Sequence, residues 1–173
     1  MSDTARPLST LLSNFADNTS GSITAQMLRD AMVSILGEFG MIYRNAGDSV
    51  SLTTTPSKLA TFDTTGSLGG NVTSGTTKLT VGTTGTYRVT FSAALYSAST
   101  GANVNAYIYK NGALITGLPN TTVFVPTSAN AVQAVTDLLL DLTAGDYVEV
   151  YLATGGSYTV SVYKPTLIVE RIK

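Results

Sequence analysis

The residues that set the fold class run from Gly85 to Ile115 and read GTYRVTFSAALYSASTGANVNAYIYKNGALI. Between Tyr87 and Phe91 the larger apolar residues occupy every second position, which is the period of a half-buried strand. After a bend rich in Ser, Thr and Gly, the same alternation returns over Asn103–Tyr109. Asn111 and Gly112 then supply the two positive-φ residues of a type I′ hairpin turn. This turn predicts that Tyr109 lies opposite Leu114, and the stretch therefore predicts the centre of an antiparallel β domain.

From about Gly47 to the end, the chain is Thr-rich and strand-like, with Gly, Pro, Asn or Asp in most of the gaps. Many short strands with such punctuation indicate a sandwich or barrel rather than a parallel sheet. The segment 66–77 has little strand character and is predicted to be an exposed loop. The candidate strands are Ser49–Leu52, Lys58–Phe62, Lys78–Val81, Tyr87–Leu95, Asn103–Tyr109, Ala113–Thr116, Val132–Leu140, Tyr147–Ala153, Ser157–Tyr163 and Thr166–Ile172.

The composition excludes several classes of function. The net charge is −1, which gives no electrostatic reason to expect a nucleic-acid or membrane partner. The absence of Cys and His excludes disulfides, thiol nucleophiles, Cys/His zinc sites and triads with an imidazole base. There is no apolar run of membrane-helix length and no signal-peptide core, so we expect synthesis in the cytoplasm. Charged residues form only 12% of the chain, which favours a surface partly covered by other subunits.

Residues 1–46 differ in composition from residues 47–173, and we predict that they form an N-terminal arm with a short amphipathic helix. Residues 24–36 carry an apolar stripe at helical spacing, and a shorter stripe precedes it. The helix could pack on its own β domain or dock on a partner, and we favour docking. The predicted anchoring residues are Leu8, Leu11, Leu12, Phe15, Leu28, Met32, Ile35, Leu36 and Phe39.

Several strands carry tyrosines on the face opposite their aliphatic residues. Tyr is amphipathic and is common at protein interfaces, although it is also a good strand former on a wet outer face. Because the chain has little charge, we favour an interface between subunits. The predicted trimer-interface residues are Tyr107, Tyr109, Tyr147, Tyr151 and Tyr163.

Three segments together resemble the C1q/TNF-like jelly roll: GTYRVTFSAAL at 85–95, NAYIYKNG at 105–112 and LDLTAGDYVEVYL at 140–152. Their order and spacing match that family over most of residues 47–173. The last strand departs from the family, because LIVERI at 167–172 lacks the usual Phe-x-Gly ending. The resemblance implies an all-β, antiparallel jelly-roll sandwich that assembles as a homotrimer, preceded here by the short α-helical anchor.

The segment DNTSGSITAQMLRDAMVS, from Asp17 to Ser34, resembles a segment at the front of bacteriophage virion proteins. That resemblance implies that residues 1–46 attach to a phage capsid or tail protein and that the jelly roll is displayed on the virion. Because the chain leaves no room for a long shaft, we favour a capsid decoration or head-fibre protein. The alternative is a tail fibre or receptor-binding protein that recognises a host-surface carbohydrate or protein through loops 66–77, 97–103 and 117–131.

Four carboxylates, Asp137, Asp141, Asp146 and Glu149, lie close together in the sequence. They could form a paired-carboxylate hydrolase site or hold Ca²⁺. However, Asp141 and Asp146 flank a Leu-Thr-Ala-Gly turn, where Asp is expected for the turn alone. We therefore predict no enzyme, no catalytic residue, no cofactor and no metal site, and we retain calcium at the three aspartates only as an alternative.

Overall fold

A computed structural model describes residues 27–28, 31, 37–60, 62–97, 101–127 and 130–172. Within these ranges the regular structure is almost entirely β. The strands are β1 (Phe39–Tyr43), β2 (Gly47–Leu52), β3 (Ser57–Lys58), β4 (Thr64–Gly69), β5 (Thr73–Ser74), β6 (Lys78–Thr80), β7 (Gly85–Ser97), β8 (Ala102–Lys110), β9 (Ala113–Leu114), β10 (Thr121–Val125), β11 (Val132–Leu142), β12 (Tyr147–Thr154) and β13 (Tyr158–Arg171).

The strands form two antiparallel sheets. Sheet one has the order β11-β7-β13-β1-β4, with β2 also paired to β13. Sheet two has the order β10-β8-β12-β6-β5, with β3 paired to β12 and β9 paired to β8. Neighbouring strands are therefore often distant in the sequence, as in a jelly roll, and the predicted antiparallel sandwich is confirmed.

The core lies between the two sheets and is built from alternate residues of each strand. In β7, for example, Tyr87, Val89, Phe91 and Leu95 are buried, while Arg88 between them is exposed. Facing positions on β8 and β12 are buried in the same way, which is the alternation expected of an antiparallel sheet with one covered face. The side chains that are completely inaccessible to solvent include Leu79, Val148, Val150, Leu152, Val160, Val162, Leu167 and Val169.

The predicted hairpin between β8 and β9 is confirmed in turn and register. Asn111 has φ 54° and Gly112 has φ 76°, so both central residues occupy the left-handed region that a type I′ turn requires. Tyr109 pairs with Leu114, as the turn length dictates. Local turn chemistry was therefore sufficient to determine this connection.

The two strands predicted for the C-terminal region are one long strand, β13. Its register shifts between Tyr163 and Thr166, where Lys164 has φ 49° and Pro165 provides no backbone donor. The first half of β13 pairs with β2 and the second half with β1. Pro165 predicted a gap between two strands. In the structure it lies at a bulge, where β13 changes its partner from β2 to β1.

The sandwich starts earlier than the predicted boundary at residue 47. Phe39 was predicted to end the apolar stripe of a helix, but it begins β1 and pairs with Glu170 and with Gly69. This part of the prediction is wrong because β1 is held by β13 and β4, which are distant partners that local spacing does not reveal. The predicted loop 66–77 is also wrong in part, since it contains the end of β4 and all of β5.

A buried polar network holds Glu38, the residue that precedes β1, against the sandwich. Glu38, which is only 1% exposed, accepts hydrogen bonds from the hydroxyls of Tyr87 and Thr83. Burial raises the pKa of Tyr87, and the hydrogen bond to Glu38 adds to this effect. The backbone carbonyl of Glu38 accepts a hydrogen bond from the N–H of Arg171. The residue before β1 is therefore part of the sandwich.

Of the predicted anchor helix, the structure describes Met27, Leu28 and Ala31, which have helical backbone. Leu28 is 53% exposed, whereas Ala31 is buried. These positions do not amount to a helical anchor, and nothing among the described residues forms an apolar helix long enough to span a membrane. The other predicted anchoring residues lie outside the described residues: Leu8, Leu11, Leu12, Phe15, Met32, Ile35 and Leu36.

Candidate functional site

The five predicted interface tyrosines do not share one surface. Tyr107 and Tyr109 of β8, and Tyr147 and Tyr151 of β12, lie on the outward face of sheet two, where Tyr107 pairs with Tyr151. Tyr163 belongs to β13 in sheet one. Because the outward faces of a sandwich point in opposite directions, one flat contact cannot include all five. The structure brings four of them together and separates the fifth.

On sheet two, three tyrosines pack with two lysines around one carboxylate; we call Tyr109, Tyr147, Tyr151, Lys58, Lys78 and Glu149 the tyrosine–lysine cluster. The rings of Tyr109 and Tyr151 stack with centroids 3.7 Å apart and planes inclined by 15°. The Lys78 ammonium lies 4.1 Å from the Tyr147 ring centroid, a cation–π distance. These tyrosine rings are therefore already engaged within their own chain.

Glu149 occupies the centre of this cluster. Its strand neighbours on the same face are Tyr147 and Tyr151, and its partners across the sheet are Tyr109 and Lys78. Although it is on an outward face, the residue is only 1% exposed, and its Oε2 has no hydrogen-bond partner. Burying a carboxylate in this way is costly unless a nearby cation compensates for the lost water.

Lys58 is the residue that compensates for this burial. Its Nζ lies 2.6 Å from Glu149 Oε1 and donates to it. The hydrogen bond to Glu149 raises the pKa of Lys58, so this side chain stays cationic at neutral pH. The Lys58 side chain is 40% exposed, so the ion pair closes the cluster while its outer side faces water.

Sheet two also exposes apolar side chains, at Leu114 and Phe124, but the outward face of sheet one is the second surface to consider. It carries large apolar side chains that are exposed, which we call the apolar face: Phe39 (40%), Val135 (48%), Leu139 (58%) and Tyr163 (39%). The strand registers place Leu139, Arg88, Glu170 and Phe39 in one row across four strands. Leu139 and Phe39 therefore stand at the two ends of a row whose middle positions, Arg88 and Glu170, are charged and exposed.

The sequence held a signal for the apolar face. Leu138, Leu139 and Leu140 are consecutive, and a strand can turn only alternate residues towards the core. In β11, Leu138 is partly buried and Leu140 is buried, whereas Leu139 between them faces solvent. An apolar residue at the outward position of a low-charge chain points to a contact surface. The tyrosine pattern instead predicted an interface whose residues lie mostly on sheet two.

The four carboxylates singled out in the sequence are separated by the fold. Asp137 and Asp141 of β11 accept hydrogen bonds from Thr90 and Thr86, at 2.9 and 2.7 Å. Asp146 lies in the turn to β12, and Glu149 lies on sheet two. Across the described part of the chain, no three such side chains come together as a cation site.

Asp146 instead ties the β11–β12 turn to the β8–β9 hairpin. Its carboxylate accepts from Lys110 Nζ at 2.7 Å, from Asn111 Nδ2 at 2.6 Å and from the N–H of Thr143 at 2.7 Å. Desolvation by burial acts to raise the pKa of Asp146, but the hydrogen bonds from Lys110, Asn111 and Thr143 outweigh it and lower the pKa below its usual value. The ionised form is therefore the one that the fold stabilises.

Asp146→Asn is expected to lower the free energy of unfolding by about 1 kcal/mol at pH 7. A carboxyl whose pKa is lower in the folded state stabilises the fold fully above its unfolded pKa of about 3.9, and this contribution is lost as the pH falls through the folded pKa. The difference between the variant and the parent should therefore shrink at acidic pH. Urea unfolding between about pH 2 and pH 7 measures it. A difference that does not change with pH would contradict this role, and the more exposed Asp137→Asn serves as the control.

Comparison with known proteins identifies the fold. No protein-family model matches the chain, and no curated protein matches it. Among solved structures, Eiger TNF from S. frugiperda is similar, with a TM-score of 0.53, 15% identity, and coverage of 80% of this chain and 92% of that chain. The globular domain of the zebrafish complement 1qA protein has a TM-score of 0.49 and 14% identity, with coverage of 79% and 98%. The similarity to Eiger TNF shows that the chain has a TNF-like jelly-roll fold.

Proposed function

We propose that this chain is a homotrimeric structural protein of a bacteriophage virion, a capsid decoration or head-fibre protein. The residues that precede Glu38 serve as its attachment region, and the jelly roll is the part displayed. The N-terminal pattern from Asp17 to Ser34 supports the virion role. The TNF-like fold is consistent with the homotrimer that the sequence resemblance implied.

The observation that best supports assembly into a homotrimer is the apolar face of sheet one. Leu139 and Val135 on β11 are about half exposed, and Phe39 and Tyr163 extend the same face over β1 and β13. Exposed large apolar side chains on one surface of a chain with so little charge indicate a contact with another protein copy. We therefore place the subunit contact on sheet one, with Tyr163 as its aromatic member.

A three-fold arrangement suits this face. In a closed ring of three, each contact joins two different parts of neighbouring copies. The apolar face has two such parts, the β11 edge with Leu139 and Val135, and the β1 side with Phe39. The tyrosine–lysine cluster on sheet two then remains on the outside of the assembly.

Immunogold electron microscopy of virions from the phage that encodes this chain tests the function. Antibody against the full chain should label the head at regular intervals, and virions from a phage with the gene deleted provide the control. Label confined to the tail tip would instead support the alternative, a tail fibre or receptor-binding protein. Virions without any specific label would overturn both virion roles.

A further inference from the structure

A cavity of about 200 Å³ opens at one edge of the sandwich. It lies where β4 ends sheet one and β5 ends sheet two, and among the strands that the structure describes none closes the gap between them. Its apolar base is formed by Ile42 and Phe62, which are 1% and 3% exposed. Its rim includes Asp63, Thr65, Ser74 and Thr76.

The lining combines one apolar surface with several hydroxyl groups. Thr65 Oγ1 and Ser74 Oγ lie 2.9 Å apart and bridge the two sheets across the opening. Thr64 donates to Asp63 Oδ1 at 2.8 Å. A hydroxyl can donate one hydrogen bond and accept two, so these groups retain capacity for a ligand with hydroxyls of its own.

The carboxylate at the cavity rim disfavours anionic ligands. Asp63 Oδ2 lies 3.5 Å from Arg44 Nε, and Arg44 Nη1 also lies 3.3 Å from Asp48 Oδ2. One guanidinium therefore serves two carboxylates, and none of the residues that line the cavity is cationic. A phosphate, sulfate or carboxylate ligand would meet the Asp63 carboxylate at this opening, and the guanidinium beside it is already shared with Asp48.

We propose that this cavity binds a neutral pyranose ring, the unit of a polysaccharide. The volume suits one ring and is below the range usual for drug-sized ligands. Asp63 and the Thr and Ser hydroxyls bond to the hydroxyl groups of the sugar, and the small exposed parts of Phe62 and Ile42 form the floor beneath its C–H face. The site does not depend on the trimer or on the position of the protein in the virion.

Titration of the full chain with methyl glycosides of glucose, galactose, mannose and N-acetylglucosamine, followed by amide NMR shifts, tests the proposal. At least one glycoside should shift the amides of Thr64, Thr65, Ser74 and Gly75, with a dissociation constant on the order of 1 mM. Methyl glucuronide, which has the same ring with a carboxylate, should bind more weakly. If none of the four neutral glycosides shifts these amides at about 50 mM, the proposal is overturned.

Three variants distinguish this cavity from other surfaces. Thr76→Trp should fill the opening and weaken binding at least about tenfold. Thr122→Trp places the same ring on an exposed site of sheet two and should leave binding unchanged. Asp63→Asn should weaken binding of the neutral glycoside and reduce the discrimination against glucuronide. Equal binding by Thr76→Trp and the parent, with both folded by thermal unfolding, would also refute the site.

Discussion

Leu139→Lys is expected to convert the proposed trimer into monomers, raising the dissociation constant at least about a hundredfold. Leu139 is 58% exposed in the single chain, so the substitution removes little buried area from the fold itself. Asp137 and Asp141 face the same side of β11 and would flank the new ammonium favourably. Within a subunit contact, however, the lysine would have to leave water, and burying its charge is costly even with Asp137 and Asp141 beside it.

Sedimentation equilibrium at about 10 µM measures this effect. The parent should have a mass near three times the 18.0 kDa of one chain, and Leu139→Lys should have the mass of one chain. Leu114→Lys is the matched control, because Leu114 is 45% exposed on the outward face of sheet two. If Leu114→Lys dissociates the trimer and Leu139→Lys does not, the subunit interface lies on sheet two, beside the tyrosine–lysine cluster. A parent chain that is monomeric at this concentration would contradict the proposed trimer.

Lys58→Met is expected to lower the free energy of unfolding by about 2 kcal/mol, because it leaves the buried Glu149 carboxylate without its ion-pair partner. Breaking a fully buried pair in this way costs roughly 3–5 kcal/mol. The effect should be smaller here, since Lys58 is 40% exposed and water can partly replace it. Urea unfolding in the Leu139→Lys background measures the stability of the single chain without a contribution from assembly.

Two further variants separate the ion pair from general packing in the cluster. Lys78→Met removes the cation above Tyr147 but retains the Lys58–Glu149 contact, and it should cost less than about 1 kcal/mol. The double variant Lys58→Met/Glu149→Leu removes both charges, and it should be more stable than Lys58→Met alone. If the double variant is the less stable of the two, or if Lys78→Met costs as much as Lys58→Met, Glu149 does not depend on Lys58 as described.

The sequence predicted the strands that carry their own local pattern. The Asn111-Gly112 turn and the alternation in β7, β8 and β12 follow from neighbouring residues alone, and the structure confirms them. β10 lies inside the predicted loop 117–131, yet its residues pair with β8 throughout. β1 was also missed, and its partners are the distant strands β13 and β4. Strands that depend on distant partners carry a weak local signal.

The candidate sites show the same limit. Alternation correctly turned both Tyr151 and Tyr163 outward, because the direction of a side chain along a strand is a local property with a period of two. It could not show that these residues lie on opposite sides of the sandwich, because sheet membership depends on pairing between remote strands. The cavity beside Phe62 and Ser74 likewise exists only where the edges of two sheets meet. Composition and local spacing thus sufficed for an antiparallel β chain, whereas long-range strand pairing chose which residues share a surface.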